Sequence, residues 1–167
     1  ELQGANASAA PIFARALGEY RNPFPVVSWK ASVTKRGKVS AARCTLKIKT
    51  RDLTVQTSAV GNGPVNAFDL ALRKALSSKR KEILGMKLTA YRVRELDPES
   101  ATAAKVAVHV DYTNGRGDWT TTAVSTNILD ASLTALVEGY QYFLWMEDRK
   151  QRASLSSGPT SLFYERA

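Results

Sequence analysis

Apolar and polar positions alternate through the first third of this chain, give way to a helical period, and then repeat the same succession. Val27, Trp29, Ala31 and Val33 alternate with Ser28, Lys30, Ser32 and Thr34. After an Arg36-Gly37-Lys38 turn, Cys44, Leu46 and Ile48 alternate with Thr45, Lys47 and Lys49. A tight Arg51-Asp52 turn leads into a third alternating run from Leu53 to Ala59. Such period-two patterning predicts an antiparallel sheet with one face covered and one wet. Val65, Phe68, Leu72, Ala75 and Leu76 then recur at helical spacing, so the cover is predicted to be a helix from about Pro64 to Ser78.

The second half repeats the first. A shift of 64 residues lays Val55–Leu76 on Trp119–Tyr140, matching Thr57 with Thr121, Ala59 with Ala123, Val60 with Val124, Ala67 with Ala131, Ala71 with Ala135 and Leu72 with Leu136. The same offset sets Val27 and Trp29 on Tyr91 and Val93. Strands are predicted near Leu88–Arg94, Ala104–Tyr112 and Trp119–Val124, with an Asn114-Gly115 turn, followed by a helix over Asn127–Met146. The expected fold class is therefore α+β: two βββα repeat units, each a three-stranded antiparallel sheet covered by one helix, sharing a core. The expected division is a linker segment over 1–22, a main domain over 23–146 made of units 23–82 and 83–146, and a loose tail over 147–167. The linker holds a short helix, Ala9 to Leu17, with Ile12, Phe13 and Leu17 on one side. The chain opens at Glu1 without a methionine, which reads as a piece of a longer chain or a processed product.

The start of the first predicted helix draws the eye. Pro64 suits the first helical position, Asn62 suits a cap, and Gly61 and Gly63 permit a sharp turn and a close approach. Free N–H groups there would seat a small anion or carboxylate. A Gly-Pro helix start that binds nothing is the simpler reading of these residues alone. Ser125, Thr126 and Asn127 take the equivalent place in the second repeat and read as capping residues.

Charge and composition narrow the classes. The chain carries 24 Lys and Arg against 15 acids, a net charge of +9, which makes a polyanion such as nucleic acid a candidate partner. Lys79-Arg80-Lys81 is the only three-residue basic run, at a predicted helix end, and most other cations alternate with apolar residues on a wet sheet face. No apolar run approaches the roughly 18 residues of a membrane span. The single cysteine, Cys44, excludes an internal disulfide. Catalysis finds little support: His109, the only histidine, falls on a wet face, the acids Asp97, Glu99 and Asp118 fall in predicted turns, and no Cys/His cluster has metal-ligand spacing. Trp29, Tyr91 and Trp119 fall on the predicted buried face, as core and not as stacking platforms for bases.

Several ordered motifs resemble one family. Gly61-Asn62-Gly63-Pro64-Val65-Asn66-Ala67 with Ala71-Leu72-Arg73-Lys74-Ala75-Leu76 is similar to the signature of the C-terminal regulatory domain of 2-isopropylmalate and citramalate synthases. Tyr91-Arg92-Val93-Arg94, Thr102 to Val106, and the run from Trp119 to Ser132 continue it, and Gly4 to Ser8 resembles the segment that precedes that domain. Trp119 and Ser125-x-Asn127-Ile128 look closer to the citramalate synthase branch. The resemblance implies a homodimer that binds a branched-chain amino acid, isoleucine or leucine, at its interface as a feedback inhibitor. It also implies a cytoplasmic enzyme (plastid if eukaryotic) whose TIM barrel joins acetyl-CoA to a 2-oxo acid with a divalent metal. That barrel is not in this sequence, so the fragment is expected to be inactive and to hold no cofactor of its own. Carried over by position, the effector site comprises Gly61, Asn62, Gly63, Pro64, Ala67, Leu88, Tyr91, Thr102 and Ala103. Many relatives have an acid just before the tyrosine, suited to an effector ammonium, and here that residue is Ala90. A leucine-responsive isopropylmalate synthase domain and a basic nucleic-acid-binding module remain the alternatives.

Overall fold

The computed structural model describes residues 7–50, 53–96, 99 and 103–156. After a short helix, α1 (Ala9–Ala16), come β1 (Val26–Arg36), β2 (Val39–Lys49), β3 (Thr54–Gly61) and α2 (Pro64–Ser77). A 3-10 turn over Lys81–Gly85 leads to β4 (Lys87–Glu95), β5 (Val106–Thr113), β6 (Asp118–Ser125) and α3 (Ile128–Ser156). The two sheets are antiparallel, in the orders β1-β2-β3 and β4-β5-β6, so the expected pair of βββα units is present. The Arg51-Asp52 turn, Asp97, the residues before Ala7 and those after Ser156 lie outside the described residues.

Each helix covers its sheet with apolar residues. In the first unit Ala42, Cys44, Leu46 and Ile48 of β2 meet Ala67, Phe68, Ala71, Leu72, Ala75 and Leu76 of α2, all buried in one cluster that continues into the second unit. Burial pushes the Cys44 thiol up to about 11, so it is a packing residue held as the neutral thiol. The repeat extends to individual hydrogen bonds. Thr57 Oγ1 donates to the Ala71 carbonyl at 2.9 Å, and Thr121 Oγ1 donates to the Ala135 carbonyl at 2.7 Å. Sizes trade across the repeat as well. Tyr112 stands where the first unit has Ile48, and Gly139 where it has Ala75; a Cβ on Gly139 would collide with the Tyr112 ring.

The larger ring brings others with it. Tyr112 stacks on Trp119 at 5.6 Å between centroids, Trp119 stacks on Phe143 at 5.4 Å, and the Trp119 indole donates to the Gly139 carbonyl at 3.2 Å. Between the helices, Tyr140 donates to Asp69 at 2.6 Å, and Asp69 also pairs with Arg73 at 3.0 Å. Burial, reinforced by the Asp69 carboxylate, raises the Tyr140 phenol far above its usual pKa, so it keeps the proton it donates.

Three expectations need correction. Trp119 is buried as expected, but Trp29 and Tyr91 are 36% and 37% exposed. Both lie on the inner face, opposite the buried Leu46 and Val110, yet α2 lies mainly across β2 and β3, and α3 across β5 and β6. The offset is also not uniform. Leu46 and Val110 are 64 apart, whereas their partners Trp29 and Tyr91 are 62 apart, so these two aromatics are the equivalent pair, and Val27 and Tyr91 are not. Finally, α3 runs past Met146 to Ser156, because charged residues are adequate helix formers and are anchored here. Arg80 pairs with Asp148 at 2.8 Å, and Lys150 pairs with Glu147 at 2.8 Å.

The leader segment is held on the second unit. The Ala7 N–H donates to the Thr120 carbonyl at 2.7 Å, the Thr122 N–H donates to Ser8 Oγ at 2.9 Å, and Ser8 Oγ donates to Glu138 at 2.7 Å. These bonds cover the free edge of β6. Burial pushes the Glu138 carboxyl up, with the Ser8 bond and the Arg15 charge working against it. On α1 it is Pro11 and Ala14 that face inward, while Ile12, Phe13 and Leu17 are exposed.

The substitution Gly139→Ala is expected to destabilise the fold by about 1–3 kcal/mol through overpacking against Tyr112. Adding Tyr112→Ile, which restores the first unit's pairing of sizes, should recover part of that loss. Urea unfolding of the two single variants and the double variant measures the coupling.

Candidate functional site

The expected effector residues fall into two groups, one on each unit. In the first, β3 ends at Gly61 and α2 begins at Pro64, so the chain reverses within two residues. A Cβ on Gly61 would lie 2.6 Å from the Ala67 backbone nitrogen, so only glycine lets the helix start so close to the strand. Gly63 is the N-cap, extended at φ −158°, and no side chain caps the first turn of α2. Asn62 is therefore not the cap expected of it. Its N–H is instead held by the Asn66 side chain at 3.2 Å. Pro64 has no N–H to offer, and Ala67, fully buried, already donates to the Gly63 carbonyl at 2.9 Å.

The equivalent start of α3 is occupied by its own side chains. Asn127 Oδ1 accepts from the N–H groups of Leu129 at 2.9 Å and Asp130 at 3.4 Å, and Ser125 Oγ accepts from Asn127 at 3.1 Å. The capping reading of Ser125 and Asn127 thus holds. Of the two helix starts, the one with no side-chain cap is that of α2, which leaves its partial positive charge open to an incoming anion.

The second group lies on β4. Leu88 is half-buried against the core, and Tyr91 bonds through its hydroxyl to Ser132 Oγ at 2.6 Å, with the Ser132 hydroxyl donating a hydrogen bond to the Ile128 carbonyl. Ser132 is a residue that sequence reasoning missed; its place on the inward side of α3, one turn from the helix start, was the available signal. Ala103 is exposed in the connection between β4 and β5, and Thr102 lies outside the described residues. No described hydrogen bond links the two groups, and neither of the two cavities described below is lined by any of the nine residues.

Ala90 faces Asp111 on the outer side of the sheet, away from Tyr91. Asp111 is itself engaged. Burial works against its charge, but hydrogen bonds from Arg92 and Thr120, with the Arg92 charge, outweigh it and hold the carboxyl below its usual range. His109 Nδ1 lies 2.9 Å from Thr122 Oγ1 on the same wet face. Among the described residues, no three His, Cys, Asp or Glu side chains are grouped to hold a metal, and no helix is long and apolar enough to cross a membrane.

The core that faces solvent at the first strand of each unit is the other feature of the site. Val33 of β1 is 57% exposed although it pairs with the buried Ala42, and Val93 of β4 is exposed although it pairs with the buried Val108. Beside Trp29, a cavity of about 210 Å³ opens between β1, Phe68 of α2 and Leu133 and Val137 of α3.

The fold is thus a small α+β unit, twice repeated, with an uncapped helix start on α2 alone and an apolar first strand exposed on each half. The family model described as the LeuA allosteric (dimerisation) domain matches residues 3–144, and the chain belongs to that family. It is 36% identical over 146 residues to the (R)-citramalate synthase of Geobacter sulfurreducens, covering 86% of this chain and 28% of that protein. Against the (R)-citramalate synthase of Synechocystis sp. it is 37% identical over 149 residues, covering 86% of this chain and 27% of the relative. The corresponding figures for the enzyme of Aquifex aeolicus are 30% over 152 residues, 90% and 29%. The chain thus spans little more than a quarter of the length of these relatives.

The two glycines of the α2 start make opposite predictions. Gly61→Ala should cost about 1–3 kcal/mol because the clash is with backbone. Gly63→Asp should leave stability equal or slightly raised, since nothing lies within 4 Å of its Cβ and aspartate is a preferred N-cap. Urea unfolding separates the two.

Proposed function

We propose that this chain is the effector-binding, dimer-forming regulatory part of a cytoplasmic acyltransferase of the citramalate synthase kind, one that joins acetyl-CoA to pyruvate on a metal-dependent catalytic barrel. The family match over residues 3–144 carries the reading, and the curated relatives named above favour citramalate over isopropylmalate synthase. The effector on this reading is a branched-chain amino acid. Isoleucine, the end product of a route through citramalate, is preferred, with leucine as the alternative.

The geometry supplies a reason for the dimer. The inner faces of β1 and β4 carry Trp29, Val33, Tyr91 and Val93 at the surface, and a second copy covers them without disturbing either helix. The effector site on this reading is completed by that association, which brings the α2 start of one copy toward the β4 surface of the other. The α2 N–H groups take the carboxylate, the small side of Ala67 and Gly63 leaves room, and Leu88 and Tyr91 wall the branched side chain. Ala90 lies on the far face, so the effector ammonium must find its partner elsewhere on the closed dimer.

A second reading, a nucleic-acid-binding surface, has one observation behind it. The outer face of the first sheet presents Lys30, Arg43 and Lys47 in adjacent rows. It has no aromatic among its described strand residues for bases to stack on. Binding of that kind weakens steeply with salt, whereas amino-acid binding in a closed site does not.

The test is thermal unfolding with isoleucine, leucine and valine at two salt concentrations. One of the three should raise the midpoint in proportion to RT ln(1 + [L]/Kd). Gly63→Asp should abolish that rise without lowering the ligand-free midpoint. A rise that survives Gly63→Asp would move the site away from the α2 start, and no rise with any of the three at millimolar concentration would refute effector binding.

A further inference from the structure

A larger cavity, about 590 Å³, lies at the C-terminal end of α2, between the Arg21–Phe24 segment and the last turns of α3. Its volume is in the range of sites that enclose a small organic ligand, roughly 300–1,000 Å³. Its lining has two characters. Val55, Leu76, Leu144 and Leu155 give it aliphatic walls. Among the described residues Arg21, Lys79, Arg80 and Arg152 set four cations around them against one carboxylate, Asp148. That carboxylate is already taken by Arg80 at 2.8 Å, and Arg80 also binds Glu82 at 2.6 Å. Among the described lining residues no acid answers Arg21 or Arg152, and the described bond of Arg152 is to the Asp148 backbone carbonyl, at 3.2 Å.

Two further observations bear on an occupant. The wall formed by Asp148, Gln151, Arg152 and Leu155 comes from the part of α3 beyond residue 144, where the family match ends, so this cavity is not built from the matched domain alone. Leu155, 83% exposed, holds an aliphatic side chain at the cavity margin that no described residue buries. The negative end of the α2 dipole points this way, but its Leu76 carbonyl is occupied by the N–H groups of both Lys79 and Arg80.

The geometry points to a second ligand site here, one for an amphipathic organic anion: a carboxylate or phosphate head held by Arg21 and Arg152, with an aliphatic body against Leu76, Leu144 and Leu155. It is separate from the amino-acid site and does not depend on it. A branched-chain amino acid is a poor match, since its ammonium would enter a lining of four cations.

Decanoate and decyl phosphate, titrated calorimetrically into this chain, test the two kinds of head group, with decanol as the uncharged control. One or both anions should bind saturably at one per chain, and decanol should bind at least about tenfold more weakly, the difference of one charge-assisted hydrogen bond. The double variant Arg21→Glu, Arg152→Glu changes only exposed side chains, and it should weaken the anion by about tenfold or more while leaving the unfolding midpoint in place. Amide shifts in NMR spectra should gather at Leu76, Leu144 and Leu155. Equal binding of decanol, an unchanged affinity in the double variant, or shifts gathered at Trp29 and Tyr91 would each overturn the assignment.

Discussion

One helix covers two strands, and the rest of this molecule follows from that. A helix with its side chains is about 10–12 Å across, and neighbouring strands lie about 4.8 Å apart, so α2 and α3 each close two strands of a three-stranded sheet and leave the first one open. β1 and β4 therefore carry inner faces that a monomer does not bury. Trp29 and Tyr91 sit at equivalent points on those faces, each paired with a fully buried residue on the next strand and each more than a third exposed. The leader segment covers the edge of β6, whereas β1 and β4 keep Trp29, Val33, Tyr91 and Val93 exposed on their inner faces. Such surface is what an association between copies removes from water.

The two units keep one plan but differ where chemistry could differ. The start of α3 spends its N–H groups on Asn127, while α2 has a glycine in that place and no cap from a side chain. The absence of a cap weakens a helix by a few tenths of a kcal/mol or more when glycine replaces a good capping residue. What it leaves in exchange is an open positive end beside a glycine, Gly61, that cannot accept a side chain for reasons of packing. Packing demands glycine at 61, whereas at 63 only the proposed effector would, and the substitutions at 61 and 63 can tell these apart.

Much of the fold was legible because alternation and helical period both run cleanly through each unit, and because Thr57, Ala71 and Leu72 have their counterparts at 121, 135 and 136. The exposure of Trp29 and Tyr91 was not legible. Parity assigns a face, and both residues are on the inner one, but parity cannot say how far the covering helix reaches. The equivalence of those two aromatics was hidden by a β4–β5 connection longer than the β1–β2 turn, which changes the offset from 64 to 62. The continuation of α3 was missed because a helix held by ion pairs, Arg80–Asp148 among them, has no apolar period to read. In the site, glycine and proline marked the α2 start, but nothing local in the sequence distinguished Asn66 from Asn62 as the side chain that holds the turn.

On the proposed function, the open edges of β1 and β4 meet a second copy and the effector binds what this meeting completes. Sedimentation velocity of the chain over a wide concentration range, with and without isoleucine, tests it most directly. The expected result is a reversible dimer whose dissociation constant falls as isoleucine is added, because a ligand that prefers the dimer must tighten it. A chain that stays monomeric at every concentration, or a dimer indifferent to isoleucine, leucine and valine alike, would contradict it.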